Sequence, residues 1–202
     1  MRLCKMLCAV AGAVLVAAMC VPTASARQFN LSERDIRATF PTFEITGPIG
    51  SVRCPLTLEI RMHERRITKL VELLIGEVTA AALGVCPAGR AGIQVESLPW
   101  HVRYASFAGT LPNITSFTTK IVGMEWNITE PTFMLRCLIR TTAGEPVTLI
   151  FTRENSGALV QARLGGEILT GTECSRIRAR VTATSNALTV LGGGAAVTLT
   201  LI

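Results

Sequence analysis

Few side chains in this sequence can do acid–base or metal chemistry. Two histidines occur, His63 and His101, and of fourteen acidic residues only Asp35 is an aspartate. His63 and Glu64 are followed by Arg65, Arg66 and Ile67, so the helical two-histidine motif of zinc peptidases is missing. No G-x-S-x-G nucleophile elbow occurs. A Ser–His–Asp triad would have to recruit Asp35, and a lone aspartate leaves no Asp-rich calcium loop. Two glutamates could in principle hydrolyse a glycosidic bond, but no spacing singles out a pair. The sequence therefore assigns no catalytic residue, no cofactor-binding residue and no metal ligand.

Residues suited to binding are more concentrated. Arg176, Arg178 and Arg180 alternate with Ile177, Ala179 and Val181, which places the arginines as a stripe on one face of a strand. Arg136 and Arg140 can extend it. Such a stripe would grip an anionic cell-surface polymer through its phosphate or carboxylate groups. The plainer reading is a solvated outer face that keeps a strand from aggregating. The run Leu98 to Tyr104 holds the densest mixture of aromatic and basic side chains. Read as a strand, it puts Trp100, Val102 and Tyr104 on one face, with His101, Arg103 and Phe107 on the other. The aromatic face suits a sugar or peptide platform; the plainer reading makes Trp100 a core anchor.

Seven cysteines divide into two sets. Cys4, Cys8 and Cys20 fall in an N-terminal export signal. Arg2 and Lys5 precede an uncharged apolar run from Met6 to Val21, short for a membrane span of ~20 residues. Ala24-Ser25-Ala26 supplies the small residues read by a signal peptidase, with cleavage before Arg27. Cys20 follows Met19 rather than a small residue, which argues against lipidation. Four cysteines remain in the exported chain: Cys54, Cys86, Cys137 and Cys174. An even set in an oxidising compartment reads as two disulfides. The two shortest closures, Cys54–Cys86 and Cys137–Cys174, are the expected pairs, each contributing roughly 3–4 kcal/mol in the chain-entropy model. No close C-x2-C pair supports a zinc site instead.

Removing residues 1–26 leaves 176 of the 202 residues, one domain over 27–202 with enough chain for one core. The formal charge of +6 drops by two with Arg2 and Lys5. That balance favours anionic surfaces weakly and does not indicate a nucleic-acid partner. Three N-x-S/T sequons, at Asn30, Asn113 and Asn127, matter only in a host that glycosylates exported proteins.

The elements that must carry these residues are mostly strands. Alternation places Val52, Cys54, Leu56, Leu58 and Ile60 on one face, and Phe133, Leu135, Cys137 and Ile139 repeat it. Val147, Leu149 and Phe151, the turn Glu154–Gly157, then Val160, Ala162 and Leu164 form a hairpin. Val197, Leu199 and Leu201 end the chain as a strand, and others are expected over 41–46, 77–85, 99–108 and 118–127. Cys174 falls one residue out of phase with Ile177, either at a bulge or before its strand begins. Between Glu64 and Ile75, Ile67, Leu70, Val71 and Leu74 recur at helical spacing and Gly76 stands at the stop, which predicts one amphipathic helix, with a strand as the alternative. The expected fold is mainly β: an antiparallel β-sandwich or small β-barrel with one short helix, stapled by two disulfides.

The stretch Ser97 to Thr115, containing LPWHVRYASFAGTLPNIT, together with Val52-Arg53-Cys54-Pro55-Leu56-Thr57-Leu58-Glu59, resembles a family of exported bacterial hypothetical proteins. The likeness runs from about Thr42 to the C-terminal Leu-Thr-Leu-Ile and takes in cysteines near 54, 86, 137 and 174. Family members are richer in Gly and poorer in Arg in their C-terminal halves, so the basic stripe departs from the pattern. No activity is attached to the family, and the resemblance implies bacterial export alone.

The expected product is thus a secreted, extracellular or periplasmic β-domain without a membrane span after signal cleavage. It would act as a non-enzymatic binding or surface-structural module. A glycan-directed hydrolase is the main alternative. An eight-stranded outer-membrane barrel is a third, disfavoured by ten aromatics in all and by arginines on several strand faces.

Overall fold

A computed structural model describes residues 28–47, 50–87, 89–129, 136–169, 178–185 and 188–202. The export signal and Cys174 lie outside the described residues. The alternating segments form long strands: β2 (Asp35–Gly47), β3 (Gly50–Met62), β5 (Leu74–Leu83), β7 (Trp100–Thr110), β8 (Asn113–Val122), β11 (Val147–Arg153), β12 (Leu159–Leu169) and β13 (Arg178–Thr184). Each pairs antiparallel with the next in this order. β13 then pairs back onto β2, with Arg180 opposite Thr46 and Thr184 opposite Thr42. The result is a closed, eight-stranded up-and-down barrel, which leaves no edge among these strands. The lower half of β2 takes a different neighbour, β14 (Leu188–Val190), against Ile36–Ala38.

Two three-stranded sheets are spliced into the connections and sit at opposite ends of the barrel. β1 (Gln28–Leu31) runs between β15 (Leu199–Leu201) and β4 (Arg66–Thr68) at the end where β2 begins and β3 finishes. β9 (Glu125–Thr129) runs between β10 (Arg136–Arg140) and β6 (Arg90–Ile93) at the end where β8 finishes and β11 begins.

An eight-stranded barrel is just wide enough for its own side chains to fill it, and here the end sheets complete the filling. From β1, Phe29 packs against Phe107 and Phe117, both at 5.8 Å between centroids and near edge-on, and against Tyr104 at 6.4 Å. From β9, Trp126 packs against Phe43 at 5.1 Å and edge-on to Trp100 at 5.9 Å. All these rings except the half-buried Phe107 are fully or almost fully buried, as are Phe40 and Phe151. Each end sheet therefore drives an aromatic plug into the barrel. Three buried hydroxyls are bonded: Thr119 Oγ1 donates to Leu149 O, Thr141 Oγ1 accepts from the Met124 N–H, and Ser185 Oγ accepts from the Ala162 N–H at 2.7 Å; the buried Trp126 indole N–H and Arg103 Nε have no partner among the described residues.

Outward charges on β2 and β3 are paired across the two strands. Arg37 meets Glu59, Arg61 meets Asp35 and Arg53 meets Glu44, each pair at 2.7–2.9 Å and between residues in direct register. Asp35 raises the Arg61 pKa above its usual range, chiefly through its hydrogen bond and then through its charge. A lipid-facing barrel needs an outward apolar band; at these β2 and β3 positions the exterior carries paired charges instead.

The expected helix over 64–75 does not form. Ile67 is buried in β4 beside β1, whereas Leu70 and Val71 lie in a turn before β5 begins at Leu74. Helix-like spacing over two turns is weak when isolated helices of this length are marginal. Pairing with β1 and β7 supplies the backbone hydrogen bonds that a helix would have made internally. The segment expected as one strand over 118–127 is broken at Gly123, which has φ +89°, so β9 leaves the barrel for the end sheet.

One disulfide is described, Cys54–Cys86, joining β3 to the segment after β5. Cys137 is buried in β10; its expected bridge involves Cys174 and so falls outside the described residues.

Candidate functional site

The two depressions nearest the predicted stripe lie along the closing seam β12–β13–β2. In β13 the side chains of Ala179, Val181 and Ala183 point inward, and Arg178, Arg180, Thr182 and Thr184 outward. Register builds three rows across the seam: Glu167–Arg180–Thr46, Gly165–Thr182–Glu44 and Arg163–Thr184–Thr42. Gly165 contributes no side chain to the middle row, and a Cβ there would touch only Val181 O at 3.8 Å. The shift in β2 between Phe40 and Phe43 leaves Pro41 and Thr42 out of the ladder with β3.

These irregularities leave a hollow of about 540 Å³ lined by Pro41, Thr42, Glu44, Arg163, Leu164, Thr182, Ala183 and Thr184. A second, of about 380 Å³, is lined by Thr46, Gly47, Glu167, Arg178, Ala179 and Arg180. Two of the three stripe arginines, Arg178 and Arg180, thus face one concavity; Arg176 lies outside the described residues.

The charges leave a positive excess. Arg178 and Arg180 share one carboxylate, Glu167, at 3.4 and 3.7 Å, and are 73% and 71% exposed. Arg163 donates to Gln161 Oε1 at 3.1 Å rather than to a carboxylate. Glu44 is engaged by Arg53. Three guanidiniums therefore face the hollows against one shared glutamate and one already neutralised. Ion pairs this open and this long contribute about 0–1 kcal/mol, so an anionic ligand could take over either arginine at little cost. Threonine hydroxyls at 42, 46, 182 and 184 add donors and acceptors alongside.

The stripe does not extend through Arg136 and Arg140. Both belong to β10, in an end sheet, and Arg140 pairs with Glu125 at 2.7 Å. The aromatic platform also fails as a surface: Trp100, Val102 and Tyr104 are buried, and the Trp100 indole N–H donates to Ser97 Oγ at 2.7 Å. Burial raises the Tyr104 pKa. Phe107, expected to face outward with His101 and Arg103, turns inward to Phe29 because a bulge between Tyr104 and Ser106 shifts the phase of β7.

One grouping has no signal in the sequence. Both histidines approach the same oxygen, Glu77 Oε1, with His63 Nε2 at 3.9 Å and His101 Nδ1 at 3.8 Å. Glu77 and His101 are direct partners in β5 and β7, and His63 follows the end of β3. Metal–ligand bonds to nitrogen are about 2.0–2.1 Å. Among the described residues no group of three or more His, Cys, Asp or Glu side chains is arranged to hold a metal. No described helix is long and apolar enough to cross a membrane.

No protein-family model, curated protein or solved structure matches this chain.

Proposed function

We propose that the chain is an exported, non-catalytic β-barrel module that binds an anionic polymer of the cell surface along the β12–β13–β2 seam. In this reading residues 1–26 are removed as a signal peptide, residues 27–202 fold as one domain, and Cys137–Cys174 forms a second staple beside Cys54–Cys86. The disulfide already described fits an oxidising, extracellular or periplasmic setting. The observation that carries the binding reading is the pairing of Arg178 and Arg180 to one loosely held glutamate on the wall of a concavity. Alternate residues in a strand stand ~6.6–7 Å apart, so the two guanidiniums present a charge repeat along β13. A phosphate- or carboxylate-bearing polymer can follow such a repeat. The carboxylates of Asp35, Glu44, Glu59 and Glu125 are each engaged by an arginine at 2.7–2.9 Å, which does not favour a hydrolase built on them.

The test is binding of the purified mature chain to a poly(glycerol phosphate) of the teichoic type. Salt-sensitive binding that falls at least tenfold in Arg178→Ser/Arg180→Ser supports the reading. Affinity unchanged in that variant, or no binding at low salt, overturns it.

A further inference from the structure

The end of the barrel built from β1, β4 and β15 carries a surface that the seam does not explain. The β4–β5 turn displays Leu70 and Val71, each 60% exposed, and Leu73 at 36%. The C-terminal Ile202, 50% exposed, lies across β1 from this turn. Register places it there: Gln28 exchanges hydrogen bonds with Ile202 on one side and pairs with Thr68 on the other, and the Leu70 N–H donates to Thr68 O at 2.9 Å. The turn is firmly held. Glu72, at φ +66°, donates its N–H to Tyr104 O at 2.8 Å, and the Tyr104 N–H returns to Leu73 O at 2.9 Å. Lys120 grips the Glu72 carboxylate from β8. The aliphatic tip is therefore fixed in water by the fold.

We propose that this corner is a membrane-contact surface that seats on an anionic lipid bilayer. Three features favour lipid over a protein partner. Leu70 and Val71 project from the tip of a turn, whereas a stable protein interface needs ~800 Å² of matched surface on each side; lipid accepts a convex aliphatic tip with cations around it. The cations are present: Arg65, Arg66 and Lys69 fall within five residues, with Arg34 nearby, against Glu33 and Glu64. Arg65 is paired with Glu33 at 2.9 Å, and Lys69 Nζ lies 5.3 Å from the centroids of both Phe29 and Phe107. Finally, the apolar run ending at Val21 lies seven residues before Gln28. Seven residues reach at most ~25 Å. On the export reading proposed above, and before residues 1–26 are removed, a tether of that length keeps Gln28, the β4–β5 turn and Ile202 close to the lipid.

The experiment is flotation of the mature chain with phosphatidylcholine vesicles, with and without phosphatidylglycerol, at low and moderate salt. Binding to the phosphatidylglycerol vesicles is expected, falling at least about tenfold in Leu70→Ser/Val71→Ser as buried aliphatic area is lost. Arg66→Ser should lower it about fivefold. Both variants alter exposed side chains, and an unchanged near-ultraviolet circular dichroism spectrum checks their fold. The proposal would be overturned by no binding to either vesicle, by binding indifferent to Leu70→Ser/Val71→Ser, or by binding abolished by Arg178→Ser/Arg180→Ser instead. Self-association that the Leu70/Val71 variant abolishes, without vesicle binding, would assign the corner to contact between copies and equally overturn it.

Discussion

Removing the Phe29 plug should open the barrel and cost a large part of its stability. Phe29 is fully buried, makes edge-on contacts with Phe107 and Phe117, and lies under the Lys69 ammonium. Phe→Ala substitutions in cores cost ~3–5 kcal/mol, the upper values arising where the surroundings cannot collapse. A hydrogen-bonded barrel wall is such a surrounding, and two ring pairs worth ~0.5–1.5 kcal/mol each are lost with the ring. We expect Phe29→Ala to lose about 4–5 kcal/mol, against ~5–15 kcal/mol for a whole domain. Urea unfolding of both proteins measures it, with the midpoint shifted and the slope retained if the change lies in the native state. Benzene should restore part of the loss by occupying the apolar cavity. A cost below ~1 kcal/mol would refute the reasoning, because β1 would then not be plugging the lumen.

Three further outcomes follow from the same contacts. Replacing Cys54 and Cys86 together by Ala should cost about 4 kcal/mol in urea, since the bridge closes a separation of 32 residues; reducing agent should lower the wild-type midpoint as well. Tyr104 is the single tyrosine, and burial raises its pKa above the ordinary value near 10. The fold therefore favours the neutral phenol. Its contribution is complete below pH ~10 and is lost as pH climbs from there through the raised folded value, because the unfolded chain releases the proton first. Absorbance at 295 nm should show this lag in the native protein, and Tyr104→Phe should remove that part of the alkaline instability. Neutralising an outer ion pair by Glu59→Gln should change stability by less than ~1 kcal/mol, as exposed pairs do, measured by the same urea melts.

The sequence disclosed the strands better than their neighbours. Alternation around Val52–Ile60, the hairpin either side of Glu154–Gly157 and the inward Ala179, Val181 and Ala183 could all be read directly, because period two reports which face is buried. Period two does not report which strand lies alongside. The closure of β13 onto β2 joins residues more than 130 positions apart, so sandwich and barrel remained equal choices. Strands of three to five residues in the end sheets are too short to establish a period, and one of them, β4, sat inside a segment with helical spacing. Phe107 shows how a bulge defeats parity: correct alternation up to Tyr104 gives the wrong face three residues later. Arg178 and Arg180 were legible as neighbours because both lie on β13. The meeting of His63, Glu77 and His101 was not, because it requires three strands in register.

Closure of the barrel is what fills the lumen and creates the seam where Arg178 and Arg180 lie. Native-state amide hydrogen exchange across Arg180–Thr184 tests it most directly. In an antiparallel strand successive residues bond alternately to the two neighbours, so a β13 held by both β12 and β2 should protect every amide in the run. Fast exchange at every second residue would show one side of β13 open to water, and the closed barrel would be contradicted.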